Sequence, residues 1–199
     1  MTLIKICGIT TLDDALQAAE AGATALGFNF WPGSKRYITP AAAAAIISQL
    51  PAEVLKVGVF VDAAESEYST IAAQTGLDIV QLHGHLGPSP LIRHWLAFSA
   101  TDAQVRATME SSGAEAFLID TPAGIERGGT GRTFDWSLVQ GLAGRIILAG
   151  GLGPDNVAQA IRQVRPWGVD ACSRLESAPG RKDHVKVLEF IRAARSATL

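Results

Sequence analysis

Eight short runs of β-prone, mostly apolar residues recur along this chain, and their recurrence limits the available folds more than any other feature does. They are "LIKICGI" (3–9), "ALGFNFW" (25–31), "VLKVGVFVD" (54–62), "DIVQLHG" (78–84), "WLAFS" (95–99), "EAFLID" (115–120), "RIILAGG" (145–151) and "GVDACS" (168–173). Near-continuous apolar text is what strands buried on both faces require, as in a parallel sheet covered by helices. The intervals between the runs are helix-compatible. Leu12, Ala15, Leu16 and Ala19 fall on one face before Gly22, and Thr39-Pro40 makes an N-cap and first-turn pair for the alanine-rich stretch ending at Leu50-Pro51. Val157, Ile161 and Val164 repeat the pattern after Pro154, as do Val187, Leu188 and Ile191 after Asp183. The connection "GHLGPSPLIRH" is short and proline-punctuated, so a reduced helix is expected after strand 4 or 5.

Eight strand–helix units predict a closed parallel barrel, because right-handed crossovers place the helices outside and closure removes exposed sheet edges. The expectation is a compact α/β fold, a single-domain (β/α)8 TIM barrel over residues 1–199, with short loops, because 199 residues is near the lower limit for this architecture. An open doubly wound sheet is the alternative, but no G-x-G-x-x-G follows the first run. No linker, low-complexity tract or charge block divides the chain.

A formal charge of −2 gives no general electrostatic reason to bind nucleic acid or a membrane, although local phosphate binding stays open. Cys7 and Cys172 are the only cysteines, too few for a disulfide framework and without the clustered spacing of a zinc site. Reduced thiols and a cytoplasmic location follow as expectations. They agree with an N-terminus lacking a basic segment followed by an apolar run, and with apolar stretches all shorter than the roughly 18 residues of a membrane span.

In such barrels the chemistry sits at the carboxyl ends of the strands. The polar residues there are Cys7, Asp62, Gln81, His83, Asp120, the Gly150-Gly151 pair and Ser173. Each has a structural reading: a strand-end aspartate often caps the next helix, and a lone histidine or a buried thiol is often packing. Cys172, inside the eighth run, is read as a core residue. Three glycine-bearing segments, "GGTGRTFDW" (128–136), "AGGLGPDNV" (149–157) and "SRLESAPGRKD" (173–183), converge beside strands seven and eight. Backbone N–H groups can approach an anion closely at glycine, and barrels commonly hold a phosphate at this rim. Gly129, Gly131, Gly150, Gly151, Ser173 and Arg174 are therefore candidate phosphate-binding positions, and a small phosphorylated molecule is the expected partner.

Taken together, "KICGIT", "GFNFWPGSKRYITP", "VGVFVD", "VQLHG", "LIDT", "GGTGRTFDW", "LAGGLGPDNV" and "ESAPGRKDH" closely resemble the phosphoribosylanthranilate isomerase family of tryptophan biosynthesis, over residues 5 to about 184. The resemblance implies the same barrel and an Amadori rearrangement of N-(5-phosphoribosyl)anthranilate to its 1-deoxyribulose isomer. It further implies proton transfers alone, with no metal and no other cofactor, by a chain that works as a monomer or homodimer. Asp120 of "LIDT" would be the general acid and Cys7 the general base. Arg36 of "SKRYI" would bind the anthranilate carboxylate through a bidentate pair, with Gln81 and His83 also on the substrate. The family's usual Ser-Ser-Gly-Val-Glu stretch reads "CSRLE" here, so Arg174 stands where that pattern has glycine.

Two rivals remain open. An indole-glycerol-phosphate-synthase-like barrel needs a catalytic lysine at a strand end, and Lys5 and Lys56 lie earlier in their strands. A non-catalytic barrel that binds a phosphorylated metabolite needs neither an acid nor a base, yet both are present.

Overall fold

All eight runs form strands in the computed structural model, which describes residues 2–84, 90–102, 105–121, 133 and 135–197. They are β1 (Leu3–Cys7), β2 (Ala25–Asn29), β3 (Leu55–Val61), β4 (Ile79–His83), β5 (His94–Ser99), β6 (Ala116–Asp120), β7 (Ile146–Leu148) and β8 (Gly168–Ala171). Neighbours pair in parallel, and β1 also pairs with β8, which closes the barrel. The strands stop earlier than their apolar text. β1, β3 and β4 end one residue before a positive φ, at Gly8 (76°), Asp62 (51°) and Gly84 (76°), and left-handed backbone cannot continue a ladder.

Side chains alternate between two environments, as the two-residue period of a strand dictates. Leu3, Ala25, Val57, Ile79, Trp95 and Ile147 point inward and form the apolar base of the lumen. Ile4, Ile6, Leu26, Phe28, Leu96 and Ile119 point outward into a larger core beneath the helices. Burial of the two layers is the dominant stabilising term, at about 25 cal/mol per Å² of apolar surface.

The helices are α1 (Leu12–Ala21), α2 (Pro40–Ile47), α3 (Glu65–Thr75), α4 (Val105–Ser111), α5 (Val157–Val164) and α6 (His184–Ser196). Thr39 caps α2 by accepting Ala42 N–H at 3.3 Å, and Asp183 caps α6 by accepting Val185 N–H at 3.1 Å and Lys186 N–H at 3.2 Å. Helix α1 departs from its expected face: Leu16 is exposed, while Asp14, Ala15 and Ala18 are buried. Asp14 sets this rotation, because its carboxylate accepts Lys182 N–H at 3.1 Å and meets His184 Nε2 at 2.8 Å. Burying a hydrogen-bonded carboxylate fixes the helix more firmly than one leucine contact would.

Between β4 and β5 the described residues contain no helix, in line with the proline-punctuated text. After β6 they contain only a 3₁₀ turn, Trp136–Val139, a reduction that the sequence had not suggested. A small antiparallel hairpin, β9 (Glu176–Ala178) and β10 (Arg181–Lys182), follows β8. Among the described residues no helix is long and apolar enough to cross a membrane.

Candidate active site

The alternation that fills the base of the lumen also builds a polar mouth at its carboxyl end. Two residues beyond the apolar layer, Lys5 and Asp170 face inward and lie opposite each other in register. Their side chains join at 2.7 Å, with Lys5 fully buried. One further step places Cys7, Asn29, His83, Asp120 and Cys172 around a cleft of about 400 Å³, floored by Val59, Gln81 and Leu118 and bounded by Asp170. The loop after β2 forms one wall with Trp31 and Gly33 through Arg36.

Electrostatics separate the two candidate proton-transfer groups. Cys172 donates to the Cys7 sulfur, and this is the main influence bringing the Cys7 pKa down to about 7; burial opposes it, and Lys5 and Lys182 assist. The converse holds for Cys172, where donation to Cys7 and burial both push the thiol well above its usual value. Burial disfavours the Lys5 charge, but Asp170 and then Cys7 outweigh it and hold the ammonium protonated above its ordinary range. Asp120 moves the other way. Burial raises it to about 6, against the Thr121 N–H that donates to its Oδ1 at 2.7 Å, and the nearby Asp170 charge adds to the rise.

Arg36 is present at the cleft but not free to use its whole fork. Its aliphatic stem crosses Gly8, where a Cβ would lie 3.0 Å from Arg36 Cγ. Nε reaches Glu176 Oε1 at 3.1 Å, and Nη2 reaches Oε2 at 2.6 Å. Lys182 Nζ also bonds Glu176, at 3.2 Å. The Nε/Nη2 edge, one that could take a carboxylate in a bidentate pair, is thus occupied by Glu176. Gln81 Nε2 lies 3.1 Å from His83 Nε2, and because an amide N–H can only donate, the histidine nitrogen is the acceptor. Gln81 Oε1 is buried with no partner among the described residues.

Beside β7 and β8, the N–H groups of Gly150, Gly151, Ser173 and Arg174 have no acceptor among the described residues. The Gly151 carbonyl is taken by Asn156 Nδ2 at 3.0 Å and by Arg174 Nη1 at 3.2 Å, which fixes the peptide orientation in this loop. Arg174 also meets Asp155 at 2.9 Å, so its side chain ties the loop after β8 to the loop after β7. Gly150 has no room for a side chain, since a Cβ would stand 2.1 Å from Thr121 Oγ1 and 2.9 Å from Asp120 Oδ1 at a φ of 83°. Gly129 and Gly131 lie outside the described residues.

Several sequence expectations need correction. Cys172 is not a core residue: it lies just beyond β8 and lines the cleft with Cys7. Asp62 caps no helix, since Ala64 holds the N-cap position of α3, and its carboxylate turns to Gly84. Lys5, Asp170, Glu176 and Lys182 had not been singled out for the site. Period-two counting back from Cys7 and forward along β8 could have found the first two; nothing local marks Glu176 or Lys182. The described residues hold one trio of potential metal ligands, Asp13, Asp14 and His184, between α1 and α6 and not among the cleft residues.

A closed eight-stranded parallel barrel with a polar cleft at the carboxyl ends of its strands, lined by a thiol and a buried carboxyl, has the form of a TIM-barrel enzyme. The comparisons specify which. The family profile described as N-(5'phosphoribosyl)anthranilate (PRA) isomerase matches residues 4–193, and the chain belongs to that family. It is 47% identical over 198 residues to the N-(5'-phosphoribosyl)anthranilate isomerase of Solibacter usitatus (strain Ellin6076), covering 98% of each chain. The crystal structure of phosphoribosyl anthranilate isomerase from Thermotoga maritima aligns with a TM-score of 0.88 at 39% identity, over 98% of this chain and 100% of that one. A crystal structure of phosphoribosyl anthranilate isomerase in complex with reduced 1-(o-carboxyphenylamino)-1-deoxyribulose 5-phosphate aligns with a TM-score of 0.84 at 37% identity, with 98% and 100% coverage.

Proposed function

We propose that Cys7 and Asp120 divide the proton transfers of the isomerisation carried out by this family in tryptophan biosynthesis, from N-(5'-phosphoribosyl)anthranilate to 1-(2-carboxyphenylamino)-1-deoxyribulose 5-phosphate. Asp120, protonated, gives its proton to the ribose ring oxygen. The C1'–O bond breaks, and the anilino nitrogen lone pair forms the Schiff base. The Cys7 thiolate then takes the proton from C2', the C–H electrons become the C1'=C2' bond of an enolamine, and tautomerisation yields the ketone. The substrate phosphate goes to the N–H groups of Gly150, Gly151, Ser173 and Arg174 beside β7 and β8, and the anthranilate carboxylate to Arg36, whose position Glu176 fixes. Both thiols must be reduced, the state favoured in cytoplasm.

The opposite displacement of two pKa values at one cleft carries this assignment: a base near 7 and an acid near 6 suit catalysis at neutral pH. A chemistry that uses Lys5 or Lys56 finds no support, since Lys5 is buried and paired with Asp170, and Lys56 bonds Ala52 and Asp78 outside the cleft. The test follows the loss of substrate fluorescence with purified protein. Cys7→Ala and Cys7→Ser should keep the wild-type circular dichroism and lose about 10² to 10⁴ in kcat. A Cys7→Ala enzyme with near-full kcat would reduce the thiol to packing.

A further inference from the structure

We propose that Cys7 and Cys172 form an oxidative modification site, in which a hydroperoxide converts the two thiols into an intramolecular disulfide that stops the reaction and a dithiol reverses it. The loss of activity rests on the assignment of Cys7 as base; the bond itself does not.

The geometry brings together the only two cysteines of the chain from its opposite ends. Ile6 lies opposite Ala171 in the β1–β8 ladder, so the next step along both strands sets Cys7 beside Cys172, both on the cleft side. Neighbouring strands run about 4.8 Å apart, within the Cα separation of about 4.4–6.8 Å that a disulfide spans. Gly8 leaves the intervening space clear: a Cβ there would stand 2.9 Å from Cys172 Sγ. In the reduced protein the Cys7 sulfur leans towards Gly27, where a Cβ would lie 2.8 Å away, so closing the bond takes a turn of the Cys7 side chain back towards β8. Cys172 follows the last residue of β8, with φ −133° and ψ −87°, and its backbone is not held by that ladder. Both thiols are partly exposed at the cleft, which gives a small oxidant access.

The chemistry is complete with the peroxide alone. The Cys7 thiolate attacks one peroxide oxygen, the O–O bond breaks, and the departing alkoxide leaves as an alcohol; Cys7 becomes a sulfenic acid. Cys172 then attacks the Cys7 sulfur and its proton leaves with the displaced hydroxide as water. Two thiols and one organic hydroperoxide give one disulfide, one alcohol and one water; with hydrogen peroxide the alcohol is replaced by a second water. Lys182, whose Nζ lies 4.0 Å from Cys172 Sγ and 3.3 Å from its carbonyl oxygen, supports the charge of the attacking sulfur.

The experiment treats the purified full chain with one equivalent of hydrogen peroxide and reads intact mass, titratable thiols under denaturing conditions, and activity. A loss of about 2 Da, disappearance of both thiols, parallel loss of activity and recovery with dithiothreitol are expected. Cys172→Ser, compared with its own untreated activity, should gain oxygen at Cys7 instead, with recovery by dithiothreitol at least about tenfold poorer once sulfinic acid forms. Wild-type protein that keeps two thiols, or gains oxygen without losing hydrogen, overturns the proposal. So does equal recovery of Cys172→Ser. These outcomes leave the base assignment untouched, because that depends on the Cys7→Ala kinetics.

Discussion

Replacing Asp120 by asparagine tests the proposed acid, because the amide keeps the side-chain shape and an acceptor for the Thr121 N–H at 2.7 Å while carrying no proton to donate. The turnover number should fall by about 10² to 10⁴, or about 3 to 5 kcal/mol of barrier. The pH dependence is the sharper test. With Asp120 at about 6 and Cys7 at about 7, catalysis needs the acid protonated and the base ionised together. That combination peaks near about pH 6.5 at about 6% of the enzyme, and kcat/KM falls about tenfold per pH unit below 6 and above 7. In Asp120→Asn the alkaline limb disappears: kcat/KM rises through pH 7 and then levels, following Cys7 alone. Stability shifts too. The rise from the ordinary 3.8 to about 6 corresponds to about 3 kcal/mol against the ionised carboxyl in the fold, present above the folded pKa and absent below 3.8. The asparagine variant should therefore melt higher than wild type at pH 8 and lose that advantage by pH 4. Steady-state rates from pH 5 to 9 and thermal melts check both. A variant within about tenfold of wild-type kcat, or one that keeps the falling limb above pH 7, would refute the assignment.

Arg36→Ala should raise KM more than it lowers kcat in a substrate titration, as removal of uniform binding does; an unchanged KM would separate Arg36 from the substrate. Gly150→Ala should lower the melting midpoint by several degrees, the consequence of about 1–3 kcal/mol from a left-handed φ and a Cβ placed 2.1 Å from Thr121 Oγ1. An unchanged melt would mean that this turn can move aside.

The barrel was legible because eight near-continuous apolar runs alternate with helix-compatible text, and closing eight parallel strands leaves no exposed sheet edge. The strand ends were less so. Whether apolar text continues as strand depends on local φ, and Asp62, a non-glycine in left-handed backbone, gives no warning in the sequence. Among the site residues, those one step from a strand end were findable by alternation: Cys7, His83 and Asp120 directly, and Lys5 with Asp170 by counting back two. Reading Cys172 as core ignored the same rule, which turns it inward from Asp170. The Arg36–Glu176 pair joins residues 140 apart through two loops, and only the folded chain brings them together. Likewise the sequence pattern sets Leu16 on the buried face of α1, because Asp14 reads as a surface residue until its partners at the far end of the chain are known.

The Lys5–Asp170 contact spans 165 residues of sequence, and it has a kinetic meaning as well as an electrostatic one. Until β8 docks, Lys5 is an unpaired ammonium in an apolar lumen, and the Cys7 thiol lacks its neighbour from the other end of the chain. Pairing across so long a loop is slow to reward its own closure, which is why non-local contacts tend to form late. On the proposed assignment, partly assembled chains should be catalytically silent, so that the return of turnover during refolding times the joining of the first strand to the last, after helix-sensitive signals have recovered.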